Sequence, residues 1–460
     1  MTSNLARRGL ALGFVTSSFL ALIPASPALA EPVAPASQAH LRADVEKLVS
    51  FGTRHTLSSA TDPRRGIGAA RAWAAAEFAR TGKACGNCLE VVQPEQTVTG
   101  TRIPAPTRIV DVVAIQKGTQ RPDEVVIVQG HIDSRVSDVM DTTHDAPGAN
   151  DDASGVALVL EAARVLSQHR YPVTIVYAAL SGEEQGLYGG KVLADYAKAR
   201  GWTVKGVLNN DIVGGSCGSD GYCDDAHVRV FSEGPRADEG DATRAAVRRF
   251  GGENDSPARN LSRYIAALAG ENPADEGLAG KDFAVRQIWR ADRMGRGGDQ
   301  LPFLALGYPA VRFTVAVENY DEQHQDLRTE KGVVYGDTVD RMDFPYLAKV
   351  TDLNIATLDH LARSPMPPAP KADAAVKTWT DVSWQAVPGA VAYSVYKRAT
   401  NAAEWEATPL VKATPQTAVK LDGFRGDDWL IGVSAIAADG SESPVAGAVP
   451  GGAFVPLVQR

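Results

Sequence analysis

The sequence predicts an α/β protein: a mainly parallel, mixed sheet sandwiched between helices, followed by a small all-β sandwich. Three observations carry this. From His40 to His360, short apolar runs alternate with segments of helical spacing, the pattern of strand–helix–strand units. Pro365, Pro367, Pro368 and Pro370 then interrupt the chain, and beyond them the apolar residues alternate as in strands. The 460 residues are 44% hydrophobic and 22% charged, enough for a large core and more than one domain.

The elements follow in order. Residues 1–30 read as a targeting segment. Arg7 and Arg8 precede an apolar stretch from Gly9 to about Leu22, and Ala28-Leu29-Ala30 has the A-x-A form of a cleavage site. The stretch is short for a membrane span, and nothing downstream is long enough to be one. The expectation is a secreted or periplasmic protein cleaved after Ala30; the paired arginines also admit twin-arginine export. Residues 31–38, rich in Pro and Ala, read as a flexible leader. Leu41–Val49 and Gly66–Arg80 have helical spacing, and Thr107–Gln116 and Glu124–Gly130 read as strands. Ser154–Gln168 is an amphipathic helix, Val173–Leu180 a strand, Gly190–Ala199 a helix and Val207–Leu208 part of a further strand. Ser232–Gly280 is polar around one helical run, Ala242–Phe250, and reads as a peripheral insertion near the site. Tyr308–Val317 returns to a buried strand. Residues 365–373 form a stiff Pro-rich linker. Residues 374–460, with Trp384, Tyr393 and Tyr396 among alternating positions, form the sandwich, which is expected to fold apart from catalysis.

Charge and cysteine narrow the class. A formal net charge of −8 argues against a nucleic-acid partner. Cys85, Cys88, Cys217 and Cys223 allow three pairings. In an oxidising compartment, proximity in the chain favours Cys85–Cys88 and Cys217–Cys223 over a zinc ribbon.

The chemistry concentrates between Val125 and Asp211. His131-Ile132-Asp133, the turn Gly148-Ala149-Asn150-Asp151-Asp152-Ala153-Ser154-Gly155, Ser181-Gly182-Glu183-Glu184 and Asn209-Asn210-Asp211 are four clusters, three of which follow apolar runs. Loops at the carboxyl ends of parallel strands converge, so one imidazole and several carboxylates reach a common rim. That is a ligand set for divalent metal, with zinc the expected ion. In His131-x-Asp133, the carboxylate can hold the second nitrogen of a metal-bound imidazole. Asp151 carries two hard oxygens and can bridge two cations, while Asp152 or Ser154 caps the helix that follows. Glu183 and Glu184 diverge, so that one can ligate metal and the other act as general base. Asp211 and His324 are left to complete two shells.

These motifs resemble the co-catalytic di-zinc exopeptidase family that includes secreted bacterial leucine-type aminopeptidases. The resemblance spans about His40 to His360, so that residues 31–364 would be a di-zinc peptidase domain. It implies two zinc ions bridged by Asp151, one held by His131 and Asp211 and the other by Glu184 and His324. It further implies Glu183 as general base and acid, and Asp133 as the partner of His131. In that family a Tyr before the late His stabilises the oxyanion; here Gln323 precedes His324, and Tyr320 is the available candidate. Thr53–His55 and Arg293–Phe303, with Asp299, look like family scaffold. His144-Asp145 lies in the loop before Asp151. The C-terminal module resembles a fibronectin type III domain, suited to attachment to a surface or a large substrate. The implied activity is removal of N-terminal residues from peptide substrates, with a carboxypeptidase or glutaminyl cyclase of the same fold as the alternative. A non-enzymatic relative would have lost part of this ligand set, which is complete here.

Overall fold

A computed structural model describes residue 1, residues 32–270 and residues 283–450. The rest of the expected targeting segment lies outside the described residues. Eight strands form the main sheet: β1 (Leu89–Val92), β2 (Val112–Gln116), β3 (Arg121–His131), β4 (Val173–Leu180), β5 (Thr203–Asn210), β6 (His227–Ser232), β7 (Ala284–Ile288) and β8 (Ala310–Val315). Their spatial order is β1-β2-β4-β3-β5-β8-β6-β7. The centre, β4–β3–β5–β8, is parallel. β2 runs antiparallel to β4, and β6 antiparallel to β8.

Alternation along the central strands builds both faces. Val126, Val128, Tyr177 and Leu208 face a layer containing α1 (Gln38–Val49), α2 (Ile67–Ala84) and α3 (Ser154–Leu166). Val125, Ile127, Val176 and Val207 face the opposite layer, which contains α4 (Tyr188–Ala199). The remaining helices are α5 (Asp241–Phe250), α6 (Pro257–Gly270), α7 (Gln300–Ala305) and α8 (Phe344–Arg363). α6 and α8 join the first layer through Leu261, Ile265, Leu358 and Leu361, and α7 joins the second through Phe303. Both expected disulfides are present, Cys85–Cys88 and Cys217–Cys223. No helix among the described residues is long and apolar enough to cross a membrane.

Four local readings change. The run 107–116 is two strands, Ile103–Val110 and β2, separated at Asp111, whose carboxylate accepts the Ser181 N–H at 2.9 Å. Residues 32–37 are not a free leader: Ala36 N–H donates to Asp352 at 2.7 Å and Ser37 N–H to Glu161 at 2.8 Å. The stretch 232–280 is not merely peripheral, since α6 lies in the core. Lys371–Asp373, assigned to the linker, is a strand paired with Thr380–Ser383, and Pro365, Pro368 and Pro370 are buried.

The C-terminal module is all-β, with two four-stranded sheets around Val382, Trp384, Tyr393, Val395 and Val433. Trp384 and Tyr393 pack with ring centroids 5.3 Å apart. Tyr396 lies outside this core and donates its hydroxyl to Glu442 at 2.8 Å. The module is docked on α6. Arg263 donates to the Ala403 carbonyl at 2.6 Å, Trp405 Nε1 to Asn260 at 3.1 Å, and Arg398 pairs with Asp255.

Candidate metal centre

The central strands end at one rim. His131 is the last residue of β3 and pairs in register with Leu180, the last of β4. Asp211 directly follows β5, and Glu183 and Glu184 follow β4 by three and four residues. His324 comes from the loop after β8 and has a left-handed backbone, φ 58°.

The turn bearing Asp151 is held from both sides. The Asn150 and Asp151 N–H groups donate to Asp337 at 2.8 and 2.7 Å. The buried Arg54 guanidinium donates to the carbonyls of Ile132 and Gly148 at 2.8 and 2.9 Å. Asp152 accepts the Gly155 N–H at 2.9 Å, capping α3, and the His131 N–H at 2.9 Å, tying the turn to β3. Gly155 is required by close approach: a Cβ there would lie 2.3 Å from the Asn210 carbonyl.

Asp133 is fully buried and acts mainly on the loop after β4. Its carboxylate accepts the N–H groups of Gly182, Glu183 and Glu184 at 2.9, 3.3 and 3.2 Å, and the Thr56 hydroxyl at 2.8 Å. Its backbone oxygen, 3.1 Å from His131 Nδ1, stands closer to that ring than its carboxylate does at 3.7 Å.

Two overlapping triads result, His131–Asp151–Asp211 and Asp151–Glu184–His324, each with its ligand atoms within 4.8 Å of one another. His131 Nε2 is 3.1 Å from Asp151 Oδ1, and His324 Nε2 is 2.9 Å from Asp151 Oδ2 and 3.0 Å from Glu184 Oε1. His131 Nε2 and Glu184 Oε1 are buried without a hydrogen-bond partner among the described residues. Unpaired buried donors and acceptors are costly, and an N/O set with surplus carboxylate fits zinc. Glu183 stands beside the triads; burial, then the Asp211 and Glu184 carboxylates, push its carboxyl well above the usual range.

Other anticipated residues lie elsewhere. His144 is exposed and bonds Asp141 at 2.5 Å, and Asp145 pairs with Arg65 at 2.7 Å. Tyr320 is 60% exposed, whereas the Gln323 amide donates to Asp151 Oδ2 at 3.0 Å. Asp299 accepts the Gly190 N–H at 3.0 Å, and burial raises its carboxyl to about 7. Three residues were missed. Arg135 lies 2.8 Å from Glu184 Oε2, Arg312 lies 2.7 Å from Asp211 Oδ1, and Asp337 holds the Asp151 turn. Arg135 had a signal, for His131, Asp133 and Arg135 recur at every second position of an extended segment.

A fold with buried nitrogen and oxygen ligands gathered at the carboxyl rim of its parallel sheet, beside a free glutamate, defines a metal-dependent hydrolase. Residues 111–343 match the model of Peptidase family M28. A protein of Leptosphaeria maculans named "Probable zinc metalloprotease" is 44% identical over 420 residues, covering 90% of this chain and 95% of the relative. A protein of the same description from Pyricularia oryzae is 43% identical over 425 residues, covering 90% and 82%. Among solved structures, LapB from Legionella pneumophila shares the fold, with a TM-score of 0.51 at 18% identity over 71% of this chain and 72% of that one. The chain belongs to peptidase family M28 and is a zinc metalloprotease.

Proposed function

We propose that the protein is an exported aminopeptidase that uses two zinc ions. The observation that carries this reading is the sharing of Asp151 by both triads. His131 and Asp211 would hold one ion with Asp151, and Glu184 and His324 the other. When bound, the pair would lower the pKa of a water towards neutrality and polarise the scissile carbonyl. Glu183, which stands beside both triads, would take a proton from the attacking water and return it to the leaving amine. Asp133 positions Glu183 and Glu184 by gripping the backbone between them and β4.

Direction follows from charge. Guanidinium groups near the site are committed: Arg312 to Asp211 at 2.7 Å, and Arg293 and Arg296 to Glu318 at 3.0 and 2.8 Å. With Arg312, Arg293 and Arg296 so paired, these cations are not free to hold a C-terminal carboxylate, which supports a substrate bound through its α-amine. The shared Asp151 favours two metals over the single zinc of the cyclase alternative. Export is supported by the two disulfides. The peptidase domain would extend to residue 364, with the all-β module as an accessory domain after it.

The test is a peptide panel. N-acetylated peptides should resist cleavage, while their C-amidated counterparts with a free amine should be cut. Release of C-terminal residues from the acetylated set would reverse the assignment.

A further inference from the structure

The two triads differ in what stands behind their histidines. His131 Nδ1 is 3.1 Å from the Asp133 backbone oxygen. A carbonyl only accepts, so Nδ1 carries the proton and Nε2 keeps its lone pair. That tautomer is ready for a metal. His324 is set the opposite way. Its Nδ1 is 2.6 Å from the Arg135 guanidinium. A guanidinium only donates, so in this contact Nδ1 supplies the lone pair and the ring's proton sits on Nε2. The same Arg135 donates through Nε to Glu184 Oε2 at 2.8 Å. One cation therefore holds both residues that belong to the second triad alone.

Building on the two-zinc reading, we infer that Arg135 is a latch on the second metal site, a resident cation that must release His324 before a zinc ion can be held there. Ligation through Nε2 moves the ring proton to Nδ1. That would set N–H against N–H at 2.6 Å, so the guanidinium has to withdraw. Arg135 is 17% exposed in its side chain and has water to move into. Arg312, the counterpart at Asp211, is 0% exposed and is also anchored to the Gly297 carbonyl at 2.7 Å. It pairs with a carboxylate and leaves the His131 tautomer untouched. The sites therefore fill in order, with His131–Asp151–Asp211 first and the latched pair second.

The sign of the effect separates a latch from an ordinary supporting residue. Removing a residue that orients a metal ligand weakens binding, typically by about 10–100-fold. Removing a competing cation strengthens it, because the repulsion between the guanidinium and an incoming dication is gone. The experiment is calorimetric titration of zinc into the metal-stripped full chain, comparing wild type, Arg135→Ala and Arg135→Gln. Glutamine keeps a neutral donor in place and guards against a cavity effect at alanine. Wild type should bind zinc in two steps, the second weaker. Both variants should tighten the second step by at least about tenfold, with the first unchanged. A second step that is present but unaltered or weaker in both variants would overturn the latch and leave the two-zinc reading standing. If no second step is seen in any of the three proteins, the two-zinc reading falls and the latch with it.

Discussion

Replacing Asp133 with Asn tests how the loop after β4 is held. Oδ1 accepts from Gly182 and Glu183, and Oδ2 from Glu184 and Thr56. An asparagine must turn one of these oxygens into a donor. With its nitrogen at the Oδ1 place, two backbone N–H groups lose their acceptor. With its nitrogen at the Oδ2 place, the Thr56 hydroxyl can rotate to accept, and only the Glu184 N–H is stranded. The second arrangement is cheaper and will be adopted. It loses one hydrogen bond to a charged group, about 1.5–3 kcal/mol. If that energy is spent on placing Glu183 and Glu184, kcat/KM falls by about ten- to a hundredfold, at 1.4 kcal/mol for each factor of ten. The assay is hydrolysis of an aminoacyl anilide by zinc-replete Asp133→Asn, with melting temperature and zinc content measured alongside. Activity within about twofold of wild type would refute the reasoning, because a stranded buried N–H beside a ligand cannot be that cheap.

Two further outcomes are expected. Glu183→Gln should keep its zinc and lose on the order of 10²–10⁴-fold in turnover; loss of zinc, read by elemental analysis, would show that Glu183 and Glu184 have exchanged roles. Burial lowers the Lys205 ammonium to about 7, against 10.5 for a free lysine. Between those values the unfolded chain binds the extra proton, so stability should rise with pH across that window and the rise should vanish in Lys205→Met, as urea unfolding at two pH values would show.

The candidate site was legible because three of its four clusters sit where an apolar run stops. His131, Glu184 and Asp211 follow buried strands, and the pattern alone places them on one rim. What was not legible is the support between distant segments. Asp337 reaches the Asp151 turn across the whole fold, and no local spacing announces it. The α6 face was misread for a different reason. Arg259, Asn260 and Arg263 look like a solvated surface in sequence, yet all three are buried, Arg263 and Asn260 with bonds to the C-terminal module. The leader was misread because composition speaks of side chains, whereas Ala36 and Ser37 are held by their backbone N–H groups.

The seam between α6 and the C-terminal module has a consequence for how the chain can vary. Each side completes the other's hydrogen bonds, so neither surface is finished alone. Trp289 lies against Arg259 and Arg263, 4.8 and 5.3 Å from its ring centre. The segment after Trp289 carries Arg293 and Arg296 to Glu318, and Arg296 also to Gln323 at 3.0 Å, beside Asp151. A short chain of side-chain contacts therefore joins the module's docking face to the lip of the cleft. The module is a keel rather than a trailer. Residues past His324, which carry none of the ligands, are tied in this way to the rim of the site.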